Sequence, residues 1–234
     1  MNKYKFIYAS RNENYFISLY LLFKLFLYQK LKRFSNYSNN TRFDYYDDNY
    51  KFTSDFFSFN IPYLTDLFNK LKIKNNKLNI LEIGSFEGRS TIFFLKYFKN
   101  CNITCVDIFE GAEELSSEKF DQIFQNFNYN IKGFRDRIKV FKGTSDNFFS
   151  QNSDELFDLI LIDGNHSYDF VLNDAQNSFK RLKKNGIIIF DDFLWKHYDN
   201  INHNPIGAIK EFVRLFFFQI KIININYQIV IKKI

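Results

Sequence analysis

The sequence predicts an α/β protein with a doubly wound sheet of seven strands, mostly parallel, that ends in an antiparallel hairpin. From residue 78 onward, apolar runs of strand length alternate with helical patterns, which is typical of βαβ units and a parallel sheet. The last two apolar runs, 219–224 and 227–232, are joined by a tight connection, so we expect them to pair as a hairpin. In addition, several of the apolar runs stop on acidic residues.

The predicted elements of the parallel part follow one another along the chain. We expect strands at 78–83, 103–107, 137–142, 157–163 and 186–191, and helices at 88–99, 117–128, 168–184 and 205–217. Gly186 closes the third of these helices. We expect right-handed βαβ units. Because their strands are parallel, the carboxyl ends meet at one edge of the sheet, where open α/β folds carry out their chemistry.

Residues 1–77 are predicted to form an N-terminal helical and linker segment ahead of a domain at 78–234. The apolar run 15–28 is interrupted by Lys24 and is shorter than the roughly 20 residues that a membrane span requires. It lies too far from Met1, and lacks the small-residue cleavage site, for a signal peptide. We expect an amphipathic helix that covers the domain, forms a dimer contact or, through residues 15–33, lies on a membrane surface.

A polar stretch separates this helix from the domain. Residues 34–58 are rich in Asn, Ser, Asp and Tyr and are predicted to be a linker or loop. A short helix is expected from Ile61-Pro62 to about residue 72, because proline is favoured at the first positions of a helix.

Net charge is uneven along the chain. Residues 1–77 hold 13 Lys and Arg against 6 Asp and Glu, a net of +7, whereas residues 78–234 hold 19 against 20. A basic excess confined to the N-terminal segment suits an acidic partner, such as an anionic substrate or a membrane surface; a solvated basic face is the alternative.

The two cysteines, Cys101 and Cys105, flank one predicted strand on the same face. No further cysteine joins them, so a metal site of thiolates is excluded. We expect inert buried thiols in a reducing cytoplasm, with peripheral membrane contact left open.

A glycine-containing turn lies where the first strand meets the first helix. Gly84 allows the tight turn, and Gly88 allows close approach of a helix or a ligand. In a dinucleotide fingerprint a second glycine lets the backbone approach a pyrophosphate, but here Phe86 takes that place and Glu87 adds a negative charge. The turn therefore suits a nucleotide-like ligand without phosphates, and Asp107, at the end of the next strand, suits ribose hydroxyls.

The pattern Glu82-x-Gly84-x-x-x-Gly88-x-Ser90, followed by Asp107, resembles the cofactor site of class I S-adenosylmethionine-dependent methyltransferases. Within that class the chain is most similar to metal-dependent O-methyltransferases of the catechol and antibiotic-sugar types, over residues 78–234. The terminal hairpin also matches their Rossmann-like fold. The resemblance implies S-adenosylmethionine as cofactor, with contacts from Glu82, Gly84, Ser85, Gly88, Ser90, Asp107, Ser145 and Asp163.

Acidic residues end the fourth and fifth strands. Asp163 ends one, and Asp191 and Asp192 end the other; carboxylate oxygens are the ligands that Mg²⁺ prefers. The resemblance implies that these three residues bind the metal. His166 stands where the family has a general base, and an imidazole with an ordinary pKa of about 6.5 suits proton removal near neutral pH. A hydrogen-bonded structural histidine or a residue of the metal shell is the alternative.

We therefore predict Mg²⁺-dependent O-methylation of a hydroxyl on a small molecule, sugar or glycan, with Asp163 and His166 as catalytic residues. Trp195, His197 and His203 follow the fifth strand and are candidates for the substrate pocket. The alternatives are a metal-independent methyltransferase of nucleic acid or protein, and a non-catalytic cofactor-binding protein. The sequence lacks a base-flipping motif of the Asn-Pro-Pro-Tyr type and an RNA-binding module, which disfavours nucleic acid. A homo-oligomer remains open.

Overall fold

The computed structural model describes residues 3–9, 15–32, 45–46, 49–110, 120–151, 154–196, 198–200 and 203–234. It divides into two compact units, one of Met1–Asn36 with Asp154–Ile234 and the other of Tyr37–Ser153, and each is considered by itself below. Most of the predicted linker at 34–44, the first residues of the helix predicted at 117–128, and His197 lie outside the described residues.

Seven strands form a mixed sheet. They are β1 Leu78–Ile83, β2 Cys101–Asp107, β3 Ile138–Lys142, β4 Phe157–Ile162, β5 Leu182–Phe190, β6 Ile220–Ile225 and β7 Ile229–Lys233. Their order in the sheet is β3-β2-β1-β4-β5-β7-β6. The pairs β1 with β2, β2 with β3 and β4 with β5 are parallel, whereas β7 is antiparallel to both β5 and β6. The predicted fold class is confirmed.

Eight α-helices accompany the strands in the described part of the chain. They are α1 Lys3–Ala9, α2 Tyr15–Lys32, α3 Ile61–Leu71, α4 Arg89–Tyr97, α5 Phe120–Asn130, α6 Ser145–Gln151, α7 Tyr168–Arg181 and α8 Pro205–Leu215. The helices α1 and α6, which have seven residues each, were not predicted from the sequence. Short helices of this length show too few turns for their apolar periodicity to stand out.

The start of β5 differs from the prediction. The third predicted helix ends at Arg181, and β5 begins at Leu182, four residues earlier than expected. The register with β4 gives the reason, since Phe157 pairs with Leu182 but Leu159 pairs with Ile187. The extra residues on β5 form an irregularity of the β-bulge kind, which bends one strand against its partner.

Gly186 lies within this irregularity and does not close a helix. A Cβ atom at this position would lie 2.9 Å from the carbonyl oxygen of Lys183 and 3.0 Å from that of Asp158. Asn185 beside it has a φ of 64°, a left-handed conformation in which asparagine is tolerated better than most residues. The glycine is therefore required by a close approach of two backbones.

The unit of residues 37–153 has a core of aromatic rings around α3 and α4. Phe68 packs against several rings of α4 and its end, with centroid distances of 6.5 Å to Phe93, 6.4 Å to Phe94, 5.6 Å to Tyr97 and 5.0 Å to Phe98. All five side chains are buried. The high aromatic content of the sequence thus supplies ordinary core packing in this unit.

Both cysteines lie within β2, are free and are buried. Burial raises the pKa of Cys101 to about 11, and burial followed by the nearby carboxyl of Glu82 raises the pKa of Cys105 well above its ordinary value. Both thiols are protonated at neutral pH and unreactive, because the thiolate is the nucleophilic form.

In the other unit, the N-terminal helices pack on the C-terminal part of the chain. The α2 helix contacts β6 and α8, and its Ile17, Leu21 and Leu25 side chains are buried. The α1 helix contacts α2, and Lys210 of α8 donates a hydrogen bond of 3.2 Å from Nζ to the carbonyl oxygen of Ile7. Within the described residues, no helix has the length and apolar character needed to cross a membrane.

The Gly186 contact gives a stability prediction. Gly186→Ala should lower the free energy of unfolding by about 1–3 kcal/mol, because the added methyl group meets two backbone oxygens that cannot turn away. Gly133→Ala is the matched control, since a Cβ atom there meets nothing within 4 Å. Urea unfolding of both variants measures the difference, and equal stabilities would contradict the close backbone approach.

Candidate active site

The turn after β1 is built on two glycines in the left-handed region. Gly84 has a φ of 86° and Gly88 a φ of 82°, and Phe86 between them has a φ of 47°. Gly88 also caps the start of α4, and a Cβ atom there would lie 3.1 Å from the ring of Phe127. Both glycines are therefore required, as predicted from the sequence. Gly84 is required by its backbone conformation, and Gly88 by its conformation and by close packing.

Asp107 ties this turn to the end of β2. Its Oδ2 accepts a hydrogen bond of 2.8 Å from the backbone N–H of Phe86, and its Oδ1 accepts one of 2.6 Å from that of Phe109. Burial raises the pKa of this carboxyl, although the two backbone donors act in the opposite direction. The backbone of Ser85 also lowers this pKa. Because a carboxylate has about four lone-pair sites, Asp107 still has room for the predicted contact with a ribose hydroxyl.

Glu87 has a structural role, whereas its position in the sequence suggested a negative charge facing the ligand. It is fully buried, and it accepts hydrogen bonds from the backbone N–H of Thr53 at 2.6 Å, the Thr53 hydroxyl at 3.0 Å and Nδ2 of Asn126 at 2.8 Å. A buried carboxylate needs such donors. Glu87 therefore holds the Thr53 loop in place. Because its carboxylate is occupied in this way, it gives no reason to expect that the turn repels a phosphate.

The remaining cofactor candidates of the turn are buried beneath it. Glu82 is completely buried, accepts a hydrogen bond from the Thr91 hydroxyl, and has a pKa raised by burial. Ser85 and Ser90 are also buried. Oε1 of Glu82 and Oγ of Ser85 have no partner of hydrogen-bond geometry among the described residues. Polar atoms of this kind are ones that a bound ligand can satisfy, so the turn fits a polar cofactor.

Ser145 begins α6, one of the helices that the sequence analysis missed. The backbone N–H of Gly143 donates a hydrogen bond of 2.9 Å to the carbonyl oxygen of Asp107, which joins the end of β3 to the end of β2. Thr144 accepts a hydrogen bond of 3.3 Å from the N–H of Asn147 at its hydroxyl. This threonine in front of a serine and an aspartate is a helix-start signal that the sequence offered.

In the other unit, a second group of polar residues lies at the ends of β4 and β5. The backbone N–H of Asp191 donates a hydrogen bond of 3.0 Å to the carbonyl oxygen of Ile162, which fixes the two strand ends side by side. One ligand atom each from Asp163, His166 and Asp192 lies within 4.8 Å of the others. We refer to these three residues as the acidic group. They line a small open pocket together with Ile162, Gly164, Asn165, Val171, Phe190, Asp191 and Pro205.

His166 lies between the two carboxylates of the acidic group. Its Nε2 is 2.9 Å from Oδ2 of Asp192 and 3.9 Å from Oδ1 of Asp163. The contact is one of charge and proximity, because this nitrogen has no partner of hydrogen-bond geometry among the described residues. The imidazole also packs against Trp195, with ring centroids 4.7 Å apart, so the tryptophan forms one wall around the histidine.

The charge state of His166 follows from these neighbours. Burial alone lowers its pKa, but the carboxylates of Asp163 and Asp192 outweigh burial and raise the pKa to about 10. The histidine is therefore an imidazolium at neutral pH when only these two carboxylates face it. A general base must be neutral to accept a proton, so the predicted role requires that the charge of the carboxylates be compensated in another way.

Asp192 is held by Tyr227, a residue that the sequence analysis missed. The Tyr227 hydroxyl donates a hydrogen bond of 2.6 Å to Oδ1 of Asp192, and Asp192 has a φ of 54°. Burial, followed by the charge of Asp192, raises the pKa of Tyr227, so the hydroxyl keeps its proton and remains a donor. The tyrosine lies between β6 and β7, and no sequence motif marks it.

Asp191 lies behind the acidic group. It is buried, and its Oδ1 accepts a hydrogen bond of 2.9 Å from the backbone N–H of Asp192. Burial, followed by the charges of Asp163 and Asp192, raises its pKa well above the ordinary value. The structure thus brings two of the three predicted metal ligands together with His166, and Asp191 as a direct ligand stays a prediction.

The donors of the acidic group fit a divalent cation. Asp163 and Asp192 offer carboxylate oxygens, which suit Mg²⁺ and Mn²⁺, and His166 offers an imidazole nitrogen, which suits several transition metals. Among the other candidates for the pocket, His203 is exposed and its Nε2 lies 3.3 Å from Nδ2 of Asn200.

The raised pKa of His166 predicts a pH-dependent contribution to stability. Because the pKa in the folded chain lies above the ordinary value, this interaction stabilises the fold fully below about pH 6.5 and is lost as the pH rises through about 10. In EDTA, His166→Gln should lower the free energy of unfolding by about 2 kcal/mol at pH 6.5 and by much less at pH 9.5. Urea unfolding at both pH values measures this, and His203→Gln is the control without such a change. An equal loss for His166→Gln at both pH values would contradict the assignment.

The geometry agrees with a family match. Residues 81–193 match the family described as methyltransferase domain, and this span begins within β1 and includes the glycine turn and the acidic group. Protein R132 of Acanthamoeba polyphaga mimivirus, which is described as uncharacterized, is 30% identical over 124 residues. These residues are 51% of this chain and 53% of that protein, so the chain spans about half the length of the curated relative it matches.

Solved structures share the fold at low identity. A Staphylococcus aureus protein provisionally described as a caffeoyl-CoA O-methyltransferase is 17% identical and covers 92% of this chain and 99% of its own, with a TM-score of 0.54. MycE methyltransferase from the mycinamycin biosynthetic pathway, in complex with Mg and SAH, is 15% identical and covers 81% of this chain and 51% of its own, with a TM-score of 0.57. Residues 81–193 thus match a methyltransferase domain, and the chain shares its fold with solved methyltransferases.

Proposed function

We propose that this chain is an O-methyltransferase that transfers the methyl group of S-adenosylmethionine to a hydroxyl of a small molecule, sugar or glycan with the help of Mg²⁺. The observation that carries the proposal is the acidic group, in which two carboxylates and one imidazole place ligand atoms within 4.8 Å of one another. Such a group suits a hard divalent cation and a chelating hydroxylated acceptor.

The cofactor part of the proposal rests on the glycine turn. Gly84 and Gly88 let the backbone approach a ligand closely, and Asp107 has lone pairs left for ribose hydroxyls after its two backbone contacts. When bound, S-adenosylmethionine supplies a methyl group that is already activated on a sulfonium, so the protein mainly provides position and deprotonation. We propose further contacts from Glu82, Ser85, Ser90, Ser145 and Asp163.

The metal part of the proposal rests on Asp163 and Asp192. Both present carboxylate oxygens to the same small space, and Tyr227 fixes the orientation of Asp192 through a hydrogen bond of 2.6 Å. Asp191 supports the backbone of Asp192 from behind, and it adds negative charge next to the group whenever it is ionised. A bound Mg²⁺ lowers the pKa of a coordinated hydroxyl and fixes its oxygen.

His166 is proposed as the group that accepts the hydroxyl proton. Its raised pKa comes from Asp163 and Asp192, so compensation of their charge by a cation returns the imidazole towards its ordinary pKa of about 6.5. The neutral ring is then available near neutral pH. The same nitrogen can instead serve as a metal ligand, as its place in the acidic group allows.

The substrate class is supported by what similar proteins bind. MycE, from the mycinamycin biosynthetic pathway, was solved with Mg, SAH and mycinamycin VI. TomG of Streptomyces achromogenes is an O-methyltransferase involved in tomaymycin synthesis that was solved with SAM. These are small-molecule pathways, which favours a small hydroxylated acceptor for this chain too.

The free, buried thiols of Cys101 and Cys105 support a cytoplasmic location.

The proposal predicts the effect of removing one carboxylate. Asp163→Asn should lower methyl transfer from labelled S-adenosylmethionine to a panel of catechols and sugars by about a hundredfold or more, because a residue that orients the reacting oxygen is lost. Asp158→Asn is the matched control from the same part of the chain, since its carboxylate pairs with Lys183 at 2.9 Å and takes no part in the acidic group. EDTA should abolish activity in the wild type and Mg²⁺ should restore it.

Other results would favour the alternatives. Full activity of Asp163→Asn in EDTA would contradict the metal-dependent reaction and favour a metal-independent methyltransferase. Absence of S-adenosylmethionine binding in calorimetry, with a folded chain, would contradict the cofactor assignment and favour a non-catalytic protein.

A further inference from the structure

The outward face of α2 is unusually apolar for a surface helix. Phe16, Leu19, Phe23 and Phe26 are 59%, 58%, 58% and 52% exposed. At about 100° per residue, these four side chains fall on one side of the helix, together with Tyr15 and Leu27, which are 64% and 36% exposed. Contiguous exposed apolar side chains of this kind mark an interaction surface.

The opposite side of α2 is already used by the fold. Ile17, Leu21 and Leu25 are 3%, 0% and 1% exposed and pack where α2 contacts β6 and α8. The α1 helix adds a hydrogen bond of 2.7 Å from the Tyr4 hydroxyl to Oε1 of Gln29. The helix is therefore held on the protein by its inner side, and a helix that is apolar all round needs a second cover for its outer side.

The patch continues beyond α2. The ring of Phe217 lies 5.4 Å from the rings of both Phe16 and Tyr20, and the next residue, Phe218, is 90% exposed. Two separate parts of the chain thus contribute aromatic side chains to one surface. We refer to Tyr15, Phe16, Leu19, Phe23, Phe26, Leu27 and Phe218 as the aromatic patch.

The charge of the protein is concentrated in the same segment. Residues 1–33 hold seven Lys and Arg and one Glu, a net of +6, whereas residues 34–234 hold 25 basic and 25 acidic residues. The α1 and α2 helices contain five lysines and no acidic residue. Nζ of Lys24 lies 5.4 Å from the ring of Tyr20, and Nζ of Lys30 lies 5.8 Å from that of Phe26. Lysines beside aromatic rings can cover apolar surface with their stems while the ammonium groups reach outward.

We propose that the aromatic patch docks onto a bilayer that contains anionic lipid, with α2 lying in the plane of the interface. Phe and Leu side chains enter the boundary between headgroups and acyl chains, and the lysines meet the negative headgroups. Charge complementarity selects this occupant over a second copy of the chain. A symmetric contact through the patch would join two surfaces of the same charge, and α1 and α2 offer no acidic partner.

Co-sedimentation of the full chain with vesicles tests the proposal. The wild type should bind vesicles of 30% phosphatidylglycerol in phosphatidylcholine, and bind pure phosphatidylcholine much less. The triple variant Leu19→Ser, Phe23→Ser, Phe26→Ser should weaken binding at least about tenfold, and Lys24→Gln and Lys30→Gln should weaken it about fivefold each. All these side chains are at the surface, so urea unfolding should show an unchanged fold.

A matched triple variant controls for loss of apolar surface in general. Val140→Ser, Leu156→Ser and Phe170→Ser replace residues that are 40%, 46% and 49% exposed on three other parts of the chain, and vesicle binding should stay as in the wild type. The proposal is overturned if the wild type does not bind anionic vesicles, or if both triple variants bind alike. It is also overturned if sedimentation velocity shows a wild-type dimer that the α2 triple variant dissociates, because the occupant is then a second copy.

Discussion

The negative charge held at the ends of β4 and β5 is the constraint on which the candidate chemistry depends. Asp163 and Asp192 lie beside one imidazole, and Asp191 lies behind them. Burial, followed by the charges of Asp163 and Asp192, raises the pKa of Asp191. The low dielectric of a partly buried site makes repulsion between carboxylates costly. In the absence of another cation, the available relief is to protonate His166, which is why its pKa rises to about 10.

The carboxylates of the other unit show the contrast. Asp107 and Glu87 are also buried or nearly so, but each has donors of its own: two backbone N–H groups for Asp107, and Thr53 with Asn126 for Glu87. Their charges therefore organise the chain by closing the glycine turn and by holding the loop over it. Asp192 and Asp191 each have a donor as well, the Tyr227 hydroxyl and the backbone N–H of Asp192. The difference is that several carboxylates lie together at the ends of β4 and β5, and such a concentration of negative charge suits a cation.

The sequence predicted the elements whose residues carry their own signal. The predicted strand ends at Asp107, Asp163 and Asp191 agree with the structure to within one residue. They could be predicted because an apolar run and a following carboxylate are both local features. The hydrogen bonds of Tyr227 and Glu87 could not be predicted, since each depends on a partner at least 34 residues away. The charge of His166 could not be predicted from the sequence either. It is set by how closely two carboxylates from different strand ends approach one nitrogen.

The competition between a proton and a metal ion for the acidic group is the central claim. Titration calorimetry of Mg²⁺ into the full chain at pH 8, repeated in buffers of different ionisation enthalpy, measures the protons released on binding. Because His166 is protonated in the cation-free state, binding should release roughly one proton or more per ion. Absence of binding, or binding without proton release, would contradict the account.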